Sequence, residues 1–511
     1  MYLTQCVHRM IQRSPDATAL VDGEERLSWA ELRDRVARFA DALGRLGVAP
    51  GDRVAMLARN GNHYAEYLLG TFWAGGVITP VNTRWSSAEI AFSLVDCEAF
   101  VLIVEPCFDA LIPHIRSAAP HLRHIVSTGC SAVPGVASRD EWLAGAVAVP
   151  DAVRRGDALA AVMYTGGTTG RPKGVMLAHA SIGFSLMGTL SQPGAPPGKV
   201  FLHSAPLFHI GGLAGLLLAL FAGASCVFLP AFDPLDVLKA VEAHRVTDIF
   251  LVPTMLRMVA DHPHFADFDT SSVRLIRYGA STIDETLLAR LVAAFPQTNF
   301  CQAYGMTELS PTCCLLAPAD HGPEAFENGR ARSAGRATSV CEVRIIGDDG
   351  AEMPRGRSGE VVVRGPNVML GYWGRPEETA AVLRDGWMHT GDVGRMDADG
   401  YVTIVDRLKD MIVTGGENVY SAEVENILST HPGVAALAVI GIADETWGER
   451  VHAVVVPKSG ASVDLAGLQD HCRPLLAGYK LPRSLSLVDA LPLSGVGKIL
   501  KTELRERYRA A

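Results

Sequence analysis

The sequence predicts an α/β protein: a large N-terminal domain of layered sheets and helices with a small β subdomain, followed by a small α/β C-terminal domain. Three observations predict it. Short apolar runs, "AFVLIVE" (Ala99 to Glu105), "AAVMY", "CVFL", "DIFLVP" and "VRLIRYG", alternate with helix-like stretches such as "SAEIAFSLVD" and "DETLLARLVAAF", the pattern of largely parallel, fully buried strands crossed over by helices. From about Ala337 the texture changes: "CEVRIIGDDGAEM", "GEVVVRGP" and "GRMDADGYVTIVDR" set turn residues between short alternating strands, which reads as antiparallel hairpins. Beyond "DRLKD" (Asp406 to Asp410) compact units return: helix "SAEVENILSTHPG", strands "VAALAVIGI" and "RVHAVVVPK", helix "LAGLQDHCRPLL", and a basic terminal helix expected from Lys498. The expected division is 1–406, with the β subdomain at about 337–406, and 407–511.

Composition narrows the function classes. A chain of 511 residues exceeds what one hydrophobic core organises. Hydrophobic residues at 48% and charged residues at 20% are ordinary for a soluble globular protein. The formal charge of -9 offers no basic surface, so no nucleic-acid partner is expected. Ten cysteines without a C-x-x-C pair suggest neither a zinc site nor a disulfide framework, and a cytoplasmic location is expected. The N-terminus, "MYLTQCVHRMIQRSPDA", lacks the apolar core of a signal peptide. Ile210 to Phe232 contains no charged residue, yet Gly223 and Pro230 interrupt it and it changes from Leu/Ala-rich to "SCVFL". That predicts a buried helix followed by a buried strand, not a membrane span.

Chemistry first shows in "MYTGGTTGRPKGVML", Met163 to Leu177. Glycines let backbone N–H groups approach an oxyanion, threonine hydroxyls add donors, and a lysine supplies a positive charge, together what a polyphosphate needs. The order is wrong for a Walker loop, because Pro172 precedes Lys173 and biases Arg171 away from helix. The bland alternative is a glycine-rich surface loop.

"YTGGTTGRPKG" resembles the phosphate-binding signature of the adenylate-forming superfamily, which includes acyl- and aryl-CoA synthetases, luciferases and the adenylation domains of peptide synthetases. Four further segments stand in that family's order: "PLFHIGG" (Pro206 to Gly212), "QAYGMTE" (Gln302 to Glu308), "GWMHTGDVG" with "DRLKDMIVTGGENVYSAEVE" (Gly386 to Glu425), and "LPLSGVGKILKTELRE" (Leu491 to Glu506). The resemblance covers essentially the whole chain. It implies a mobile C-terminal domain and a two-step reaction. A carboxylate attacks the α-phosphorus of ATP, giving an acyl-adenylate and pyrophosphate, and a thiol then displaces AMP.

By that resemblance Thr165, Gly166, Gly167, Thr168, Thr169 and Lys173 would hold the β- and γ-phosphates, and Glu308 with Thr168 would bind Mg²⁺. Tyr304 would stack on adenine, with Gly279 and Ala280 letting the ring lie against backbone and with Gln302 and Ala303 beside it. Thr307 would contact the α-phosphate, and Asp392 and Arg407 the ribose hydroxyls. Lys498 would carry adenylation, its ammonium bridging the incoming carboxylate and the α-phosphate. Leu493 and Val496 depart from the arginine and threonine of the family's P-R-x-x-T-G-K pattern. His209 would line the acyl pocket and gate the thiol, Gly415 and Gly416 would let the pantetheine arm of coenzyme A pass, and Lys409 would be the hinge between domains. Outside this context each charged residue would read as a surface ion pair, and Tyr304 or His209 as core.

The expected partners are a small-molecule carboxylic acid, ATP and CoA, and a homodimer is the base-rate expectation for a soluble enzyme. The resemblance implies a pocket wall of Phe184, His209, Ile210, Gly279, Ala303 and Met306, apolar or nearly so, which favours a hydrophobic acid. A medium- or long-chain fatty acid is expected first and an aryl acid second. Three readings compete with an acid:CoA ligase: a peptide-synthetase module, a luciferase-like oxygenase and a nucleotide-binding relative without catalysis. The first is disfavoured because "PLFHIGG" has no aspartate for an amino group and only 13 residues follow Lys498. The last is disfavoured because Lys498, Asp392 and Glu308 are all present.

Overall fold

A computed structural model describes residues 1–165, 172–192, 200–281, 283–407, 410–414, 417–444, 447–476, 478–494 and 498–508. Four sheets organise them. The largest has nine strands in the order Arg336–Ala337, Thr312–Leu316, Asn299–Gly305, Leu275–Gly279, Asp248–Leu251, Val200–His203, Ser225–Phe228, Thr18–Asp22, Glu25–Ser28. Its interior pairs are parallel and its edges antiparallel. A second sheet of seven strands runs Gly371–Tyr372, Lys173–Ala178, Leu159–Thr165, Val77–Pro80, Arg53–Leu57, Val101–Val104, His124–Ser127. The apolar runs of the sequence are these strands, buried on both faces because helices cover both.

Local chemistry starts the helices where the sequence changes period. Ser28 caps Trp29–Arg45, its hydroxyl accepting from the Glu31 N–H while the Glu31 carboxylate accepts from the Ser28 N–H. Asp233 caps Pro234–His244, its carboxylate accepting from the Leu235 and Asp236 N–H groups, with proline at the first helical position. The uncharged stretch resolves into the helix Ile210–Ala222, stopped by Gly223 at φ 76°, and the strand Ser225–Phe228. No helix among the described residues is long and apolar enough to cross a membrane. Trp29, Phe39, Tyr64, Tyr67, Trp73 and Leu213 share one core cluster between the two large sheets.

The third sheet is the antiparallel one. Glu342–Ile346, Ser358–Arg364 and Trp387–Met396 pair in sequence order, Leu383–Arg384 and Val402–Arg407 both add to Trp387–Met396, and Gly371–Tyr372 departs to the second sheet. The fourth sheet, from Ile412–Thr414 to Ser484–Leu487, is built on the long hairpin Val434–Asp444 and Gly448–Pro457. Alternation along Val434–Asp444 gives it two faces: Leu437 and Val439 pack with Val424, Leu428 and Leu468, while Ala438, Ile440 and Ile442 pack with Leu504.

One expected element is corrected. The terminal helix is Lys501–Arg507 and does not begin at Lys498. Leu493 and Ile499 form an antiparallel bridge, and the Ser494 N–H donates to the Lys498 carbonyl at 2.7 Å. The backbone of Lys498 is therefore committed to a small hairpin before the helix can start.

Candidate active site

The strand Leu159–Thr165 returns as Lys173–Ala178, so the glycine-threonine segment joins two antiparallel strands, with Thr165 opposite Lys173. A strand, not a helix, follows, which is the structural reason that the Walker order is absent. Gly166, Gly167, Thr168 and Thr169 lie outside the described residues, as do Lys409, Gly415 and Gly416.

Lys173 is held from two sides. Its ammonium pairs with the Glu378 carboxylate, on the helix Pro376–Val382, and lies 5.2 Å from the centroid of the Tyr372 ring. Bonds to Lys173 and Arg375 hold the Glu378 carboxyl below its ordinary range. The Tyr372 hydroxyl donates to Glu308 Oε1 at 2.9 Å, and burial with the Glu308 charge pushes that phenol up. Glu308 is 6% exposed. It sits with Thr307 on a single turn, Thr307–Leu309, directly after the strand that carries Gln302, Ala303 and Tyr304. One tyrosine thus joins the lysine of the loop to the carboxylate that the resemblance implies for Mg²⁺.

Tyr304 and Asp392 come from different sheets and meet here. The phenol donates to Asp392 Oδ2 at 2.7 Å, and burial together with that carboxylate raises the Tyr304 pKa well above its ordinary value. Asp392 is buried and faces Arg407 across the strand pair. The Arg407 side chain is outside the described residues. Gly279 stands opposite Ala303, and a Cβ on it would lie 2.2 Å from the Ala303 carbonyl oxygen. The close approach of two strands therefore demands this glycine, whether or not a ring lies against it. Ala280, next in the chain, is exposed at φ 66°.

His209 is the residue preceding the helix Ile210–Ala222, its ring 4.5 Å from that of Phe208. Its Nε2 is buried and has no hydrogen-bond partner among the described residues. Burial first, then the positive charges of Arg84 and Lys498, lower its pKa to about 3, so the imidazole is neutral. The charge of Lys498, from the C-terminal unit, is therefore felt at a histidine of the N-terminal one. A Cβ on Gly212 would meet the Pro206 carbonyl oxygen at 2.2 Å, so this glycine fixes the loop that carries His209. Ile210, Tyr304 and Met306 pack against the large core cluster. Phe184, on the helix His179–Leu190, is outside that cluster and 40% exposed.

Four residues with roles here were not singled out by the sequence: Tyr372, Glu378, Arg84 and Asp406. Asp406 accepts from the Ser421 backbone N–H and, at 2.8 Å, from its hydroxyl. Lys501 donates to the same hydroxyl at 2.6 Å and pairs with Glu425 at 2.7 Å. This chain of contacts ties the last strand of the third sheet to the C-terminal unit. The signal for Tyr372 and Glu378 was "GYWGRPEET", which becomes informative only once Gly371–Tyr372 is known to pair with the strand of Lys173.

Comparison with known proteins places this geometry. Over 501 residues the chain is 43% identical to a feruloyl-CoA synthase of Amycolatopsis sp, covering 98% of each. It is 36% identical to the long-chain-fatty-acid–CoA ligase FadD13 of Mycobacterium tuberculosis, covering 97% of this chain and 96% of that one. The crystal structure of ATP-bound MatB from Rhodopseudomonas palustris superposes with a TM-score of 0.90 at 33% identity, over 100% of this chain and 99% of that one. Residues 7–373 match the family described as AMP-binding enzyme, and residues 423–498 match the AMP-binding enzyme C-terminal domain. With both parts matched in order and the cleft residues on the strands described, the chain belongs to the AMP-binding enzyme family, whose relatives here include acyl- and aryl-CoA ligases.

Proposed function

We propose that this enzyme is an ATP-dependent acid:CoA ligase whose acid is aromatic, of the arylpropenoic type, and that it works through an acyl-adenylate. The observation that carries the aromatic reading is the 43% identity to feruloyl-CoA synthase over 98% of both chains, against 36% for the fatty-acid ligase. The ring of His209 beside Phe208 and the apolar side chains of Ile210 and Met306 support it, as aromatic and apolar neighbours suited to an arene. The medium- or long-chain fatty acid expected first from the resemblance is the second reading, and the fatty-acid relative supports it.

In the first half-reaction two anions meet, so cations and donors must do most of the work. Lys498 bridges the acid carboxylate and the α-phosphate, Lys173 and the loop 165–169 take the outer phosphates, Thr307 the α-phosphate and Asp392 the ribose. A neutral His209 adds no second cation to compete with Lys498 for the carboxylate. Mg²⁺ suits the donor set, because the buried carboxylate of Glu308 is a hard oxygen ligand and would hold the ion. When bound it neutralises polyphosphate charge. For the second half-reaction the C-terminal unit turns about a junction at Lys409, dividing 1–406 from 407–511, and Gly415 and Gly416 line the thiol's approach.

The test is pyrophosphate release with ATP and Mg²⁺ across hydroxycinnamic, benzoic and fatty acids, with and without CoA. CoA-dependent turnover greatest on the hydroxycinnamic acids is the expected result. Turnover greatest on fatty acids would overturn the aromatic reading and leave the ligase reading standing.

A further inference from the structure

The lysine of the phosphate loop already has an anion. Lys173 pairs with Glu378, and Glu378 is aimed at it by Arg375, whose Nη1 lies 3.1 Å from Glu378 Oε1. Arg375 is itself anchored: Nη2 donates to the Pro172 carbonyl at 3.5 Å and lies 3.7 Å from Asp96 Oδ1. The other Asp96 oxygen accepts from the Tyr164 hydroxyl at 2.6 Å. Tyr164 lies on the strand before the loop and Pro172 directly precedes the strand after it. Among the described residues, two carboxylates and two cations thus form a connected chain at the root of the loop. The Tyr372 ring under Lys173 would keep the ammonium in place if the carboxylate left.

Resting on the phosphate-binding role proposed above for Lys173, we propose that Glu378 is a built-in counter-ion for that lysine, displaced only by a polyphosphate, and that it makes the enzyme discriminate by phosphate count. The exchange is electrostatic. A ligand with one phosphate near Lys173 gains little over the carboxylate it replaces, whereas a pyrophosphate or triphosphate brings several charges to the same ammonium. Glu378 is 35% exposed on its side chain, so it can swing into water when displaced. Glu378 is on this account a positioning residue that touches no reacting atom.

The test is binding of inorganic pyrophosphate, and separately of ATP and AMP, to the full chain by calorimetry, for wild type, Glu378→Gln and Glu377→Gln. Glu377 is exposed, on the same helix, and absent from the ion pairs described, so its substitution removes the same charge without touching Lys173. The expected result is pyrophosphate and ATP binding about fivefold tighter in Glu378→Gln, with Glu377→Gln within about twofold of wild type. AMP affinity should be unchanged, and KM for ATP should fall while kcat does not rise. Equal tightening in both variants would overturn the proposal as a general charge effect, as would no tightening in Glu378→Gln while wild type binds normally. Failure of wild type to bind either ATP or pyrophosphate would instead sink the phosphate-site reading on which the proposal stands.

Discussion

The Tyr304 hydroxyl donates a 2.7 Å hydrogen bond to Asp392 Oδ2, and through it the largest sheet and the antiparallel sheet share one buried contact at the cleft. Replacing Tyr304 with Phe should cost about 1–2 kcal/mol of stability in urea titration, since a buried carboxylate loses a donor. KM for ATP should rise several-fold with kcat nearly unchanged, the pattern of lost ground-state positioning.

Lys498→Ala should reduce acyl-adenylate formation by about 10²–10³-fold, the scale of losing one electrostatic contact to a transition state. Capture of a supplied acyl-adenylate by CoA should persist. Pyrophosphate exchange measures the first step and thioester formation the second, and equal loss in both would count against the assigned role.

Gly212→Ala should displace the His209 loop, because its methyl would meet the Pro206 carbonyl oxygen. Backbone cannot yield as a flexible side chain does, and a loss of about 1–3 kcal/mol is expected. KM for the acid should rise more than KM for ATP, which steady-state kinetics with each substrate varied will show.

Acid should unfold the protein from the histidines inward. Burial lowers His203 and His209 to about 3 and His179 and His452 to about 4, while an unfolded histidine titrates near 6.5. Above the unfolded value both states are neutral and nothing is lost. Below it the unfolded chain takes up protons that the folded chain refuses, so stability falls as pH drops from about 6.5 towards 4, by about 1.4 kcal/mol per pH unit for each such histidine. Chemical denaturation at pH 7, 6 and 5 checks it, and a flat profile would show that these rings protonate in place.

Much of the fold was legible because apolar period and turn chemistry agree locally. Gly223 ends a helix that "LLLALFA" alone would extend, and the hairpins after Ala337 carry their own turns. What was not legible depends on register between distant segments. That Tyr372 lies under Lys173 follows from Gly371–Tyr372 pairing with Lys173–Ala178, some two hundred residues away. The start of the terminal helix failed for a related reason: the helix-like pattern after Lys498 competes with the hairpin bond from Ser494, and the hairpin wins. Gly279 shows the reverse case, a residue explained by strand proximity as fully as by any ligand.

On the proposal that the C-terminal unit turns between two half-reactions, the two-faced packing of the fourth sheet sets what that turn would disturb. Its apolar residues are dry on both sides, Leu437 and Val439 against one set of helices and Ile440 and Ile442 against Leu504. The C-terminal unit carries its interior with it, and a contact described across the boundary, from Arg257 to the Ala435 carbonyl at 3.3 Å, is one that water can replace. A turn of that unit would leave these apolar faces packed, and polar contacts such as this one are what it would remake between the two proposed half-reactions.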